Sequence, residues 1–132
     1  MVSFASFHME DGQPIYLQIV SHVKRMVAAG TAADQEELPS RRVLSATLGV
    51  NPNTVQKAYR ILEEEGLMES RTGAKSVLTL DEEKVAAIRR QLVEGEAASL
   101  VALLKGTGFS REETLSLVAR LWDTAAEEGG QT

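Results

Sequence analysis

The segment that most constrains the fold is a pair of short helical patterns separated by a tight turn. Ser40 can cap the first of them, which ends at Gly49. Asn51-Pro52 is a strong start signal for the second, because asparagine caps helices and proline fits the first helical turn. Gly66 ends this second helix. Two helices joined so closely predict a helix-turn-helix motif.

The second of these helices has two chemically different faces. Its apolar stripe consists of Val55, Ala58, Tyr59 and Leu62. Its opposite face consists of Asn53, Gln56, Lys57 and Arg60. Amides pair with adenine edges, and lysine or arginine pairs with guanine edges or with phosphates. Any helix has a polar solvent face, but this composition is also that of a recognition helix in a DNA major groove.

The net charge of −5 is unevenly distributed along the chain. Residues 81–132 carry ten acidic and six basic residues, whereas residues 1–80 carry nine and eight. Residues 39–62 contain four basic residues and no acidic one, and Arg41 and Arg42 stand at the start of the first helix of the motif. We expect this locally basic surface to face a phosphate backbone.

A β-hairpin is predicted directly after the helix-turn-helix. Two short β-prone runs, residues 67–71 and 76–80, flank a tip that contains Gly73. This glycine is expected to take a positive φ, and Arg71 and Lys75 add two cations beside it. Two helices followed by a hairpin predict a winged helix-turn-helix, with the hairpin as its wing.

Further helices are predicted on both sides of this motif. Pro14 starts an amphipathic helix that ends near Gly30, and residues 31–37 are interpreted as a polar connector. The chain as a whole is predicted to be mostly α-helical with a small β-hairpin. We expect a winged helix-turn-helix DNA-binding domain over residues 1–80 and a helical dimerisation region over residues 81–132.

The tail is predicted to hold two amphipathic helices. The first has a weak point at Gly95, and a capping box formed by Ser110 and Glu113 opens the second. So short a tail has few residues to cover both helices, which favours a two-fold interface over packing within one chain. The candidate interface residues are Leu100, Leu103, Leu104, Leu115, Val118, Leu121 and Trp122. A dedicated internal pocket for an effector is not expected, and the existence of a small-molecule effector is left open.

The sequence offers few residues for catalysis, cofactors or metals. It has no cysteine, and its two histidines, His8 and His22, lack partners at metal-site spacing. Glu63, Glu64 and Glu65 are consecutive, so their side chains diverge on a helix and are interpreted as a solvated face. No apolar run approaches the ~18 residues of a membrane span. We therefore predict a cytoplasmic protein with no enzymatic activity, catalytic residue, cofactor, metal or membrane partner.

Several motifs match those of a known family. They are Pro14-Ile15-Tyr16-x-Gln18-Ile19, Leu38-Pro39-Ser40-x-Arg42, the run from Leu48 to Val55, and the run from Ala58 to Leu67. Together they resemble the GntR family of bacterial transcriptional regulators. The resemblance covers residues 13–80 closely and residues 81–127 in layout. The Asn-Pro-Asn-Thr-Val stretch and the short helical tail are similar to the YtrA subfamily in particular.

The resemblance also implies which residues contact DNA. It places operator contacts at Arg42, Asn51, Asn53, Thr54 and Gln56. It implies in addition that Gly73 lets the wing enter the minor groove. Together with the cations and amides noted above, the candidate DNA-binding set is Ser40, Arg41, Arg42, Asn51, Asn53, Thr54, Gln56, Lys57, Arg60, Arg71, Gly73 and Lys75.

The sequence departs from the family's pattern at three places. Most of the family carries arginine where this chain has Pro52 and Gln56, so the base preference of better-known members does not transfer to this chain. Lys75 stands where the wing usually has a second glycine. Asp34 and Gln35 replace the usual Pro-Gly of the connector.

The sequence thus predicts a sequence-specific DNA-binding transcriptional regulator, a repressor that binds an inverted-repeat operator as a homodimer. The alternative is a winged-helix module that binds another protein and does not bind DNA. Electrophoretic mobility of promoter fragments at two salt concentrations distinguishes these two hypotheses.

Overall fold

The computed structural model describes residues 1–73 and 75–131, and helices dominate them. The elements in chain order are α1 (Ile15–Ala28), β1 (Glu37–Leu38), α2 (Arg41–Leu48), α3 (Pro52–Glu64), β2 (Met68–Arg71), β3 (Lys75–Leu78), α4 (Glu82–Gly106) and α5 (Arg111–Gln131). This confirms the mostly α-helical class with a helix-turn-helix followed by a hairpin. Ala74 of the predicted wing tip lies outside the described residues.

Side-chain caps position the two helices of the helix-turn-helix. The Ser40 hydroxyl accepts a hydrogen bond from the Val43 N–H at 3.1 Å, which caps α2. The Asn51 side-chain oxygen accepts one from the Asn53 N–H at 2.8 Å, which caps α3. Between the helices, Gly49 takes the left-handed conformation at φ 68°. The turn therefore has the geometry that the sequence signals predict.

The core of the N-terminal part lies between α1, α3 and the sheet. Ile19 and Val23 of α1 and Tyr59 and Leu62 of α3 are almost completely buried. The Tyr59 hydroxyl donates a hydrogen bond to the Pro39 carbonyl oxygen at 2.6 Å, which ties α3 to the segment before α2. This contact positions the helix-turn-helix against the rest of the domain.

The sheet has three antiparallel strands in the order β1-β3-β2. The hairpin formed by β2 and β3 was expected, but the sequence interpretation of residues 31–37 as connector alone was wrong, because Glu37 starts β1. A two-residue strand is too short to give an alternating pattern. The Val2 N–H donates to the Glu37 carbonyl oxygen at 2.9 Å, so the N-terminal segment lies along β1.

The connector before β1 is fixed by contacts at Asp34 and Gln35. Gln35 has a positive φ of 68°, which is uncommon for a residue with a side chain, and its N–H donates to the Leu78 carbonyl oxygen at 2.8 Å. The Asp34 side chain accepts from the Leu80 N–H at 2.8 Å, and this hydrogen bond lowers the pKa of Asp34.

The described residues form two compact units, the first ending at Leu92 and the second beginning at Val93. Three residues of the first part of α4, Val85, Ile88 and Leu92, pack against the core of the N-terminal unit. A division after residue 80, as the sequence suggests, would separate them from that core.

The second unit contains the end of α4 and α5. The expected weak point at Gly95 does not interrupt α4, since one glycine costs a helix only about 1 kcal/mol and good helix formers surround it. The capping box is confirmed: the Glu113 N–H donates to the Ser110 hydroxyl at 3.1 Å, and the Ser110 N–H donates to the Glu113 carboxylate at 3.0 Å. The second of these bonds lowers the pKa of Glu113. Within the described residues, no helix has the length and apolar character needed to cross a membrane.

Candidate nucleic-acid interface

The two predicted faces of α3 are separated in the structure. All four residues of the apolar stripe are buried. On the opposite face Asn53, Lys57 and Arg60 are exposed and Gln56 is partly exposed. Amide and cationic groups are therefore presented to solvent by a helix whose other face is fixed in the core.

Two of the candidate polar residues cap helices, Ser40 at α2 and Asn51 at α3. Ser40 and Asn51 use their side-chain oxygens as helix caps. The Asn51 oxygen is thus occupied, and its amide N–H₂ group is the part left to contact DNA. Thr54, in the first turn of α3, is only partly exposed. Asn53 is exposed, and its side-chain amide forms no hydrogen bond with a described residue.

The candidate cations divide into two groups. Arg42, Arg60 and Lys75 are exposed and form no ion pair with any described residue. Lys57 is also exposed, and its Nζ lies 4.2 Å from the ring centroid of Tyr16 on α1, a cation–π contact. These four cations are available to phosphates without breaking an ion pair.

Arg41 and Arg71, in contrast, are paired with acids of their own chain. The Arg71 Nε and Nη2 lie 3.0 and 2.7 Å from one Glu69 oxygen, and Nη2 also donates to the Gln35 side chain. Glu69 therefore compensates the charge that Arg71 was expected to bring to the wing. Arg41 Nη2 lies 3.7 Å from a Glu63 oxygen.

Two of the three consecutive glutamates that were interpreted as a solvated face also form contacts within the chain. Glu63 accepts a hydrogen bond from the Ser70 hydroxyl of β2 in addition to its contact with Arg41. Glu65 lies 3.0 Å from Lys24 Nζ and links α3 to α1. The sequence contains a signal for the contacts of Glu63. Glu63 lies one helical turn after the buried Tyr59, so the two residues share one side of α3.

The histidines have no part in this surface. His22 is buried, with its Nε2 2.8 Å from the Ser3 carbonyl oxygen and its ring centroid 4.6 Å from that of Phe4. His8 is exposed. Across residues 1–73 and 75–131, no group of three His, Asp or Glu side chains has the geometry to hold a metal.

Gly73 lies at the tip of the wing with φ +81°, and outside its own residue and its two chain neighbours no described atom lies within 4 Å of the position that a Cβ would take. Its substitution is therefore strained by the backbone conformation and not by crowding. We expect Gly73→Val to lower the free energy of unfolding by about 1 kcal/mol. The loss of operator binding free energy is expected to be larger, above about 1.4 kcal/mol, which is more than tenfold in affinity. Melting temperature and operator affinity are the two measurements.

Gly73→Asn is the matched control for the wing, because asparagine tolerates the left-handed conformation. It is expected to retain both stability and binding. Equal losses of stability and of binding free energy in Gly73→Val would mean that the wing is a structural hairpin only.

The tail residues proposed for an interface are mostly exposed. The exposed set is Leu100, Leu103, Leu115, Val118, Leu121 and Trp122. Trp122 is 75% exposed, an unusual position for the chain's single tryptophan. Leu104 differs from the others, since it is 7% exposed and already buried within its own chain.

The fold and this surface define a class of protein. A helix-turn-helix with a capped second helix that presents amides and cations, followed by a β wing, is a winged helix-turn-helix of the kind that binds DNA. Residues 15–77 match the model of the family described as bacterial regulatory proteins, gntR family. The helix-turn-helix domain of this chain belongs to the GntR family.

Named relatives agree with this assignment. The chain is 39% identical over 85 residues to the HTH-type transcriptional repressor YtrA of Bacillus subtilis, an alignment that covers 60% of this chain and 65% of YtrA. It is 29% identical over 106 residues to the uncharacterized HTH-type transcriptional regulator YhcF of the same organism, covering 80% and 88% of the two chains. The likeness to YtrA is consistent with a YtrA-like subfamily.

A solved structure is similar over most of the chain. A GntR family transcriptional regulator from Listeria monocytogenes superposes with a TM-score of 0.75 at 28% identity. The match covers 85% of this chain and 98% of that protein. The fold described here is therefore similar to that of a solved protein named as a GntR family regulator.

Proposed function

We propose that this chain is a transcriptional repressor that binds an inverted-repeat operator as a homodimer. The observation that carries the proposal is the exposed amide and cation face of α3, held by a capped N-terminus and a buried opposite face. The repressor named YtrA, which is similar to this chain, supports the direction of regulation. Because the bacterial chromosome lies in the cytoplasm, we propose that the protein acts there and has no enzymatic role.

We propose different tasks for different residues of this surface. Asn53 and Gln56 are proposed to contact base edges, because amides present a donor and an acceptor together. Arg42, Lys57 and Arg60 are proposed to contact phosphates, which position the protein without reading sequence. The wing is proposed to lie along the adjacent minor groove.

Dimerisation is proposed to follow from the tail. Exposed leucine, valine and tryptophan side chains on α4 and α5 form a surface that a second copy can cover. A two-fold dimer contacts DNA with two identical helices, so the operator must carry an inverted repeat.

Base recognition and phosphate contact can be separated by two substitutions. Gln56→Ala is expected to cost about 1–3 kcal/mol on the operator and to relax sequence preference at one or two positions. Arg42→Ala is expected to weaken binding to all sequences alike and to flatten the salt dependence by about one unit. The operator is first obtained by selection from a random DNA pool, and affinities are then measured at several salt concentrations.

Gln13→Ala is the control, since it removes the same side-chain amide from an exposed position before α1. It should leave binding unchanged. If Gln56→Ala altered neither affinity nor the selected sequence, α3 would not be the recognition helix. A wild-type chain that shifted no DNA at low salt would instead favour the protein-binding module.

A further inference from the structure

Glu63 lies where three parts of the proposed DNA surface meet. Its Oε1 accepts a hydrogen bond from the Ser70 hydroxyl on β2 and lies 3.7 Å from Nη2 of Arg41, the first residue of α2. Glu63 itself is part of α3. One carboxylate thus links both helices of the helix-turn-helix to the wing strand.

The contact between Arg41 and Glu63 leaves the arginine incompletely bonded. A charge-assisted N–H···O bond is normally about 2.7–2.9 Å long, and the observed separation is 3.7 Å. The Arg41 Nε is buried and has no hydrogen-bond partner among the described residues. The guanidinium lies 5.6 Å from the ring centroid of Tyr59. Arg41 is therefore held in place but retains donors for a stronger acceptor.

The position of Arg41 favours a negative partner. A cation at the first position of a helix faces the positive end of the helix dipole, which is unfavourable. Arg42 adds a second positive charge beside it. Glu63 compensates this charge in the free protein, and a DNA phosphate has the charge and the oxygen acceptors to do the same.

Both side chains can be reached from solvent. Arg41 is 30% exposed and Glu63 is 36% exposed. An exchange of partners therefore needs only a side-chain rotation and no rearrangement of the core, which is held by Tyr59 beneath the pair.

We propose that Glu63 is a specificity-determining residue, an internal counter-ion of Arg41 that a DNA phosphate displaces on binding. The inference rests on the proposed DNA-binding function. Non-specific affinity comes almost entirely from phosphate contacts. An internal acid that competes with a phosphate for Arg41 therefore lowers non-specific affinity more than operator affinity. On the operator, the base contacts of α3 hold the helix-turn-helix in place and assist the exchange.

Glu63→Gln tests this inference, because glutamine keeps an oxygen acceptor for Ser70 and removes only the charge. Affinity for a random-sequence duplex is expected to increase about two- to fivefold at low salt, the range of an exposed ion pair. The plot of log affinity against log salt should become steeper by up to about one unit. Operator affinity should increase less, so the ratio of specific to non-specific binding falls.

Two further variants separate partner exchange from simple repulsion of phosphates. Glu64→Gln removes the same charge from the next residue, which is exposed, and should change binding much less. In an Arg41→Ala background, Glu63→Gln should no longer increase affinity. Unchanged melting temperature in Glu63→Gln excludes an effect through folding.

Three results would overturn the inference while leaving the proposed function intact. They are an unchanged salt slope in Glu63→Gln, an equal gain in Glu64→Gln, and a gain that persists without Arg41. Wild-type protein that bound neither operator nor random duplex would overturn the proposed function as well.

Discussion

Leu121→Asp is expected to lower operator affinity by a factor of ~10²–10⁴. This is the gain in affinity that a dimer obtains by binding two half-sites at once. Leu121 is 55% exposed, so the substitution removes little packing within the chain. A carboxylate at a two-fold interface would be buried without a partner in both copies, which strongly disfavours association. Sedimentation and operator binding measure the two consequences.

Trp122 offers an internal probe of the same event. It is the only tryptophan in the chain and lies beside Leu121 on α5. Its fluorescence should shift to shorter wavelength as wild-type protein is concentrated, since association removes the indole from water. In Leu121→Asp the emission should stay that of an exposed indole at every concentration.

Met9→Asp provides the matched control, because Met9 is a comparably exposed apolar residue of the N-terminal unit. It should remain dimeric and bind the operator normally. If Leu121→Asp also remained dimeric and bound tightly, the interface would lie elsewhere, with α1 the next candidate. A shortened chain for such work should end after Leu92 and not after Leu80, because Ile88 is part of the N-terminal core.

Tyr59→Ala is expected to destabilise the N-terminal unit by about 3–5 kcal/mol, the usual cost of removing a large buried ring. Tyr59 is fully buried, and the substitution also deprives the Pro39 carbonyl of its hydrogen bond. Tyr59→Phe keeps the ring and removes only that bond, at a cost of about 1–3 kcal/mol. Urea unfolding of both variants gives the two values.

The same residue predicts a dependence of stability on pH. Burial raises the pKa of Tyr59 in the folded chain, and the charge of Arg41 offsets part of this. The unfolded chain then loses the tyrosine proton first, so stability is intact below about pH 10 and falls as the pH rises further. In Tyr59→Phe, which has no hydroxyl to titrate, the free energy of unfolding should fall less above about pH 10. An identical decline in both proteins would show that the ring is not buried in solution.

The parts of the fold that could be predicted depend on local signals. Ser40, Gly49 and Asn51 determine the ends of α2 and α3 through bonds to residues a few positions away, and a sequence displays such spacing directly. The apolar stripe of α3 is a signal of the same kind. The composition of the polar face of α3 therefore follows from the order of the residues alone.

The parts that could not be predicted depend on contacts between distant residues. β1 exists because Glu37 and Leu38 pair with Val77 and Ser76, far along the chain. Whether a cation is available to DNA depends equally on distant partners. The sequence indicates Arg41 and Arg42 equally as phosphate contacts. Folding places the Glu63 carboxylate of α3 beside Arg41 only.

The short β1 strand has a consequence for behaviour at high concentration. An open sheet edge is a template on which another chain can add a strand and begin aggregation. Here one edge is two residues long with Val2 bonded to it, and the other edge carries the charged side chains of Glu69 and Arg71. Neither edge offers a long apolar row of free backbone groups. Self-recognition by strand addition is thereby discouraged, and the concentrated protein should resist fibril formation.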